Sequence, residues 1–81
     1  MDELIDKLEA LAQAASPGPW TSMIEGRDHM SGSNFIMVGQ GADRLDDIEL
    51  HGATLADQDF IAAVRDGVPL LIAEIWRLRG G

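Results

Sequence analysis

The sequence predicts an α+β domain: an N-terminal helix, a small three-stranded antiparallel sheet and a C-terminal helical hairpin, with the helices gathered on one face. Three observations carry this. Apolar residues recur at three- and four-residue spacing at both ends of the chain. Short β-rich runs separated by turn formers fill the middle. Between the first helix and the first of these runs, Ser16-Pro17-Gly18-Pro19-Trp20 ends one pattern and starts the next. A chain of 81 residues has room for a single domain, 1–81, that buries roughly 60–65% of its unfolded surface.

From Asp2 to Ala15 the positions Leu4, Ile5, Leu8, Leu11, Ala12 and Ala15 line one face of an amphipathic helix. The opposite face is acidic. Asp2, Glu3 and Asp6 favour the positive end of the helix dipole, and Lys7 follows Glu3 at the supporting four-residue spacing. The corner then breaks the helix. Pro17 disfavours helical backbone at Ser16, Pro19 has no N–H, and Gly18 between them is free to take positive φ. Trp20 emerges where the chain changes direction, so the corner reads as a hydrophobic clamp with Trp20 largely buried over the first helix.

Trp20 to Glu25 reads as a short strand, 26–33 as a loop or hairpin connection without period, and Asn34 to Val38 as the clearest strand. The continuous apolar run there implies that both faces are covered. A turn over Gly39-Gln40-Gly41-Ala42-Asp43 leads to a weaker third strand, Ile48 to His51. Thr54 with Asp57 three residues on forms a capping box for a short helix carrying Leu55, Phe60, Ile61, Ala63 and Val64. That helix is expected to stop near Asp66-Gly67 with Gly67 as a left-handed cap, and Val68-Pro69 to start the last helix. Val68, Leu71, Ile72, Ile75 and Leu78 make its stripe, with Trp76 on the flank and Arg77 and Arg79 at its negative end. That stripe offers more apolar surface than one short partner helix covers, which predicts a homodimer.

Composition excludes several classes. There are no cysteines, which removes disulfides, thiolate metal sites and cysteine nucleophiles. The longest apolar run, Val68 to Ile75 broken by Glu74, is far short of the ~20 residues of a membrane span. With an acidic N-terminus unlike a signal peptide, the expectation is a protein of the cytoplasm with no membrane partner. Fourteen acidic residues against six basic ones give a net charge of −8, so phosphate backbones are repelled and direct nucleic-acid binding is not expected. A basic partner protein or nucleoprotein complex suits such a surface. The same charge also fits a small protein that it merely keeps soluble.

No motif points to catalysis, a cofactor or a metal. Gly39-Gln40-Gly41-Ala42-Asp43-Arg44 has Arg44 where a dinucleotide loop needs its third glycine, and reads as a plain turn. His29 and His51, near Asp28 and near Asp46, Asp47 and Glu49, lack ligand spacing and read as surface histidines. The serines 16, 22, 31 and 33 have no nucleophile-elbow context. Arg77-Leu78-Arg79-Gly80-Gly81 matches the ubiquitin conjugation tail, but its arginines continue a helical stripe and the match reads as coincidence. The candidate site is the cluster Asp43, Asp46, Asp47 and Glu49, interrupted by Arg44, on the connection between two predicted strands. Carboxylates so spaced can imitate the phosphates of a nucleic-acid strand and occupy a basic groove, though they fit a solvated loop as well.

Both ends of the chain carry a family resemblance. The helix ending in Ser16-Pro17-Gly18-Pro19-Trp20, with Phe60-Ile61-Ala62-Ala63 and Val68-Pro69-Leu70-Leu71 closing the sequence over 60–75, resembles the Ead-like small accessory proteins of phages and prophages. Residues 21–55 fall outside the resemblance, and Gly67 before Val68-Pro69 departs from the family pattern. The resemblance implies a phage or mobile-element origin and work inside a bacterial host cell; it transfers no catalytic residue. Phages use small acidic proteins to block host nucleases and CRISPR complexes, so a non-catalytic inhibitor of host defence is the expected function. The alternatives are a protein that sequesters a nucleotide signal, for which Arg27, Arg44 and Arg65 are the available cations, and a structural or regulatory dimer.

Overall fold

A computed structural model describes residues 1–30 and 32–80. Ser31, in the stretch 26–33 expected to be a loop or hairpin connection, and Gly81, the last residue of the Arg-Leu-Arg-Gly-Gly run, lie outside the described residues. The order of elements is α1 (Asp2–Ala14), β1 (Trp20–Met23), β2 (Phe35–Val38), a 3-10 turn (Gly41–Asp43) and α2 (Leu55–Leu78). The fold is α+β, with two helices and an antiparallel pair of strands.

The strands pair Trp20 with Val38 through to Met23 with Phe35. The predicted third strand shrinks to one bridge, in which Ile36 and Ile48 exchange N–H to carbonyl bonds at 2.8 and 3.0 Å. Continuing that ladder requires Asp46 to meet Val38. Instead Leu45 donates to the Val38 carbonyl at 2.9 Å, one residue out of step. The slip follows from the turn. Gly39 stands at φ 75°, and a Cβ there would lie 2.6 Å from the Asp43 carbonyl oxygen, so the chain folds back too tightly to restart in register.

The predicted helical hairpin is a single 24-residue helix that runs through Gly67 and Pro69. Gly67 is absent from the positive-φ positions and therefore caps nothing. Proline inside a helix costs ~3 kcal/mol because the Arg65 carbonyl loses its donor. The helix persists because one face is used along its length: Gln58, Ala62 and Ile72 on it are buried. Burying a side chain of Ile72's size contributes ~1.5–3 kcal/mol, and a break at 67 would turn the second half of that face away. Thr54 and Asp57 close the predicted capping box, each side chain bonded to the other's N–H at 3.0 Å.

α2 packs on both strands and on α1. α1 runs antiparallel along α2, with Asp2 ion-paired to Arg79 near the far end. Thus, among the described residues, α2 alone covers the sheet, rather than both helices side by side. The core gathers Ile36, Val38 and Ala62, with Trp20, Ile48 and Leu50 packed against it. Of the face predicted for α1, Ile5 is buried whereas Leu4 and Leu11 are exposed.

The corner is held from α2. The Asp66 carboxylate accepts the Trp20 backbone N–H at 3.1 and 3.3 Å. The Ser16 carbonyl accepts from Arg65 Nε at 3.0 Å and from the Trp20 indole N–H at 3.2 Å. Arg65 also lies over the Trp20 ring at 5.9 Å. Trp20 is half-buried rather than sealed. Gly18 is required for closeness and not for φ: a Cβ there would sit 2.5 Å from Asp66 Oδ1.

Candidate functional site

Beyond the Gly39 turn the chain runs along the outer edge of β2. Ile48 and Leu50 turn inward against the core, while Asp46, Asp47, Glu49 and His51 are exposed. From Asp47 to His51 the alternation has the period of two of an extended segment with one covered side. Asp43 closes the 3-10 turn and is also exposed. The four predicted site residues, Asp43, Asp46, Asp47 and Glu49, are thus all exposed along this connection, with Asp47 and Glu49 on the outward side of its extended part. Arg44 Nη2 binds Asp47 at 2.7 Å, and among the described residues this is the ion pair within the cluster.

Two shallow hollows flank the edge. One, of about 540 Å³, lies between the corner residues Pro17 and Gly18 and the turn residues Ala42 to Leu45. The other, of about 480 Å³, joins Glu49 and His51 to Asp57, Phe60 and Ile61 of α2. Phe60 is 69% exposed there. Asp57 and Phe60 were not legible as neighbours of the cluster, because the last loop brings the start of α2 back beside Glu49 only in three dimensions.

A second charged cluster ties the chain after β1 to α2 at the surface. Arg27 donates to both Asp59 oxygens at 2.8 and 3.0 Å and to Asp28 at 2.9 Å. The Arg27 guanidinium, helped by the Ser22 hydroxyl, pulls the Asp59 carboxyl down to about 2. Asp28 is also lowered, by Arg27 and by the Ile24 N–H that it accepts at 2.8 Å. Arg27 is pushed further above its already high value by the two carboxylates. Beside them the buried Gln58 amide donates to Ser22 Oγ and the Phe35 carbonyl at 3.0 Å, and to the Met23 carbonyl at 3.4 Å. A side chain that bonds both strand ends fixes α2 on the sheet. Neither Gln58 nor the Arg27–Asp59 pair carries a short-range signal, since each links residues more than twenty apart.

The remaining sequence candidates are dispersed. His51 is exposed, whereas His29, expected at the surface, is half-buried with its ring 5.1 Å from that of Phe35. Among the described residues no three His, Asp or Glu side chains are grouped to hold a metal ion. Gly39 to Asp43, read as a plain turn, is a turn that continues into the 3-10 turn. Arg27, Arg44 and Arg65 are each engaged by a different oxygen group, Asp28 and Asp59, Asp47, and the Ser16 carbonyl. Among the described residues no helix is long and apolar enough to cross a membrane.

Fold and site together define a small α+β domain with an exposed acidic edge and a preformed scaffold. No family model, curated protein or solved structure matches the chain.

Proposed function

We propose that this protein is a phage- or prophage-encoded binding protein that blocks a host defence system by covering a basic surface on one of its components. It acts by occlusion in the host cytoplasm, without catalysis or a cofactor. The observation that carries this reading is the exposure of Asp43, Asp46, Asp47 and Glu49 along one short connection with a single arginine among them. Side chains directed outward from an anchored segment present charge at fixed spacing. A groove built for nucleic acid, as in a CRISPR effector or a nuclease, is the partner chemistry that such spacing fits. Phe60, exposed beside Glu49, adds an aromatic anchor of the kind that carries binding energy in interfaces.

The test begins with affinity capture of the partner from a bacterial lysate, followed by pull-down of the purified partner. Reversal of Asp43, Asp46, Asp47 and Glu49 to lysine is expected to abolish binding while far-UV circular dichroism stays unchanged. Wild-type binding should weaken steeply with salt, since exposed charges are screened beyond ~8–10 Å at physiological ionic strength, and nucleic acid should compete. Undiminished binding by the folded reversal variant would remove this edge as the site.

A further inference from the structure

We infer that the protein forms a two-fold dimer through an apolar stripe shared by α1 and α2, which adjoins the hollow beside Glu49 at Ile61 and runs away from it along the helices. On α2, Ile61, Val64, Val68, Leu71, Ile75 and Leu78 recur at helical spacing and lie to one side of the face that packs on the strands. On α1, Leu4, Leu8 and Leu11 do the same. The two rows meet across a shallow apolar groove of about 230 Å³ walled by Leu8, Leu11, Ile61, Val64 and Val68. Leu11, Leu71 and Leu78 are 57%, 65% and 69% exposed. Scattered apolar residues on a surface need no explanation, but a continuous row of this kind does.

The exposed area is sufficient for a second copy as the occupant. The chain exposes 5774 Å², where a compact monomer of its 8.7 kDa mass exposes about 4,700 Å². Its radius of gyration is 14.7 Å against about 11.7 Å for a compact domain of this length. The excess of about 1,000 Å² matches the ~800 Å² that each partner buries in a standard interface. Charge agrees. Two copies of net charge −8 repel, so self-association requires a surface free of carboxylates. The centre of the stripe is such a surface; Lys7, three positions from Leu4, and Arg65 in the groove wall border it, as does Glu74, three positions after Leu71 and ion-paired to Arg77. A two-fold contact must also complement itself. The protruding row of α2 beside the α1–α2 groove offers a ridge and a furrow on one surface.

Sedimentation equilibrium across the micromolar range tests the inference. A species of twice the 8.7 kDa chain mass is expected, with association that tightens as salt screens the repulsion, opposite in sign to binding by the acidic edge. The double variant Val64→Asp, Leu71→Asp should raise the dimer dissociation constant at least tenfold. Leu70→Asp, on the other side of α2 and 71% exposed, should leave it unchanged. Because the chain has no native cysteine, single cysteines provide a readout that does not depend on the charged variants folding. Oxidative cross-linking should occur from among Val64→Cys, Val68→Cys and Leu71→Cys and not from Ala63→Cys or Leu70→Cys. A chain-mass species alone at every concentration, or cross-linking confined to positions 63 and 70, overturns the proposal. Loss of the dimer leaves the acidic-edge reading intact, since charge reversal tests that surface separately.

Discussion

Asp66 is the residue on which the corner depends, because its carboxylate holds the Trp20 N–H and occupies the space in front of Gly18. A methyl group at position 18 must displace that carboxylate. Gly18→Ala is therefore expected to cost about as much as a hydrogen bond to a charged group, ~1.5–3 kcal/mol. In an Asp66→Ala background the same change should cost little, and this non-additivity in thermal melts is the check. Trp20→Ala should cost ~2–3 kcal/mol, below the full range for a buried tryptophan because the ring is half-exposed. In a domain of this size that is a fall of roughly 10 °C or more in Tm; a shift of a degree or two would show that the ring seals nothing.

Asp59 makes a prediction about pH. Its carboxyl is lowered from 3.8 to about 2 by Arg27 and Ser22, so the folded state binds this proton less readily than the unfolded chain. The contribution is fully present above the unfolded value and is lost as pH falls through the folded one. Unfolding midpoints should drop between about pH 4 and pH 2, with Asp28 acting in the same direction. Asp59→Asn should flatten that window. Parallel pH profiles for the two proteins would show that the Arg27 pair contributes nothing.

At the scale of elements, α2 is the member that joins the others, and its continuity through Pro69 is the main departure from expectation. Gly67 and Pro69 together resemble a stop and a restart, a local signal worth ~1 and ~3 kcal/mol. The face carrying Gln58, Ala62 and Ile72 outweighs it, since that face reaches the sheet and α1 only if the helix does not break. Pro69→Ala should therefore stabilise the protein, by ~1–2 kcal/mol after allowing for the proline's restriction of the unfolded chain. Denaturant unfolding measures it. A destabilised variant would mean that the helix needs its proline where it borders Ala12, Ala15 and Pro17.

Over the whole molecule, the proposed binding edge and the proposed dimer stripe differ in charge. The acidic edge is built from an extended segment whose inward residues are anchored in the core, so its carboxylates keep their spacing. The apolar stripe lies along the helices and has no carboxylate at its centre. Salt is the natural discriminator, because it weakens attraction at the first surface and relieves repulsion at the second. Both effects are expected in the same protein, with partner pull-down and sedimentation reporting them independently.

The sequence by itself determined α1, the corner, both strands, the capping box and the exposure of the acidic cluster. Each of these depends on residues within a few positions: helical spacing, two prolines, an apolar run, Thr54 with Asp57, and charged residues that cannot be buried unpaired. Tertiary structure decided what depends on distant partners. The third strand shortened to Ile36–Ile48 because the Gly39 turn closed against Asp43, and Gln58 and Asp59 acquired their roles from strands and a loop more than twenty residues away. Gly67 and Pro69 were overruled because a helix-breaking preference is a local energy of a few kcal/mol, whereas a continuous buried face gathers its stabilisation from the whole length of α2.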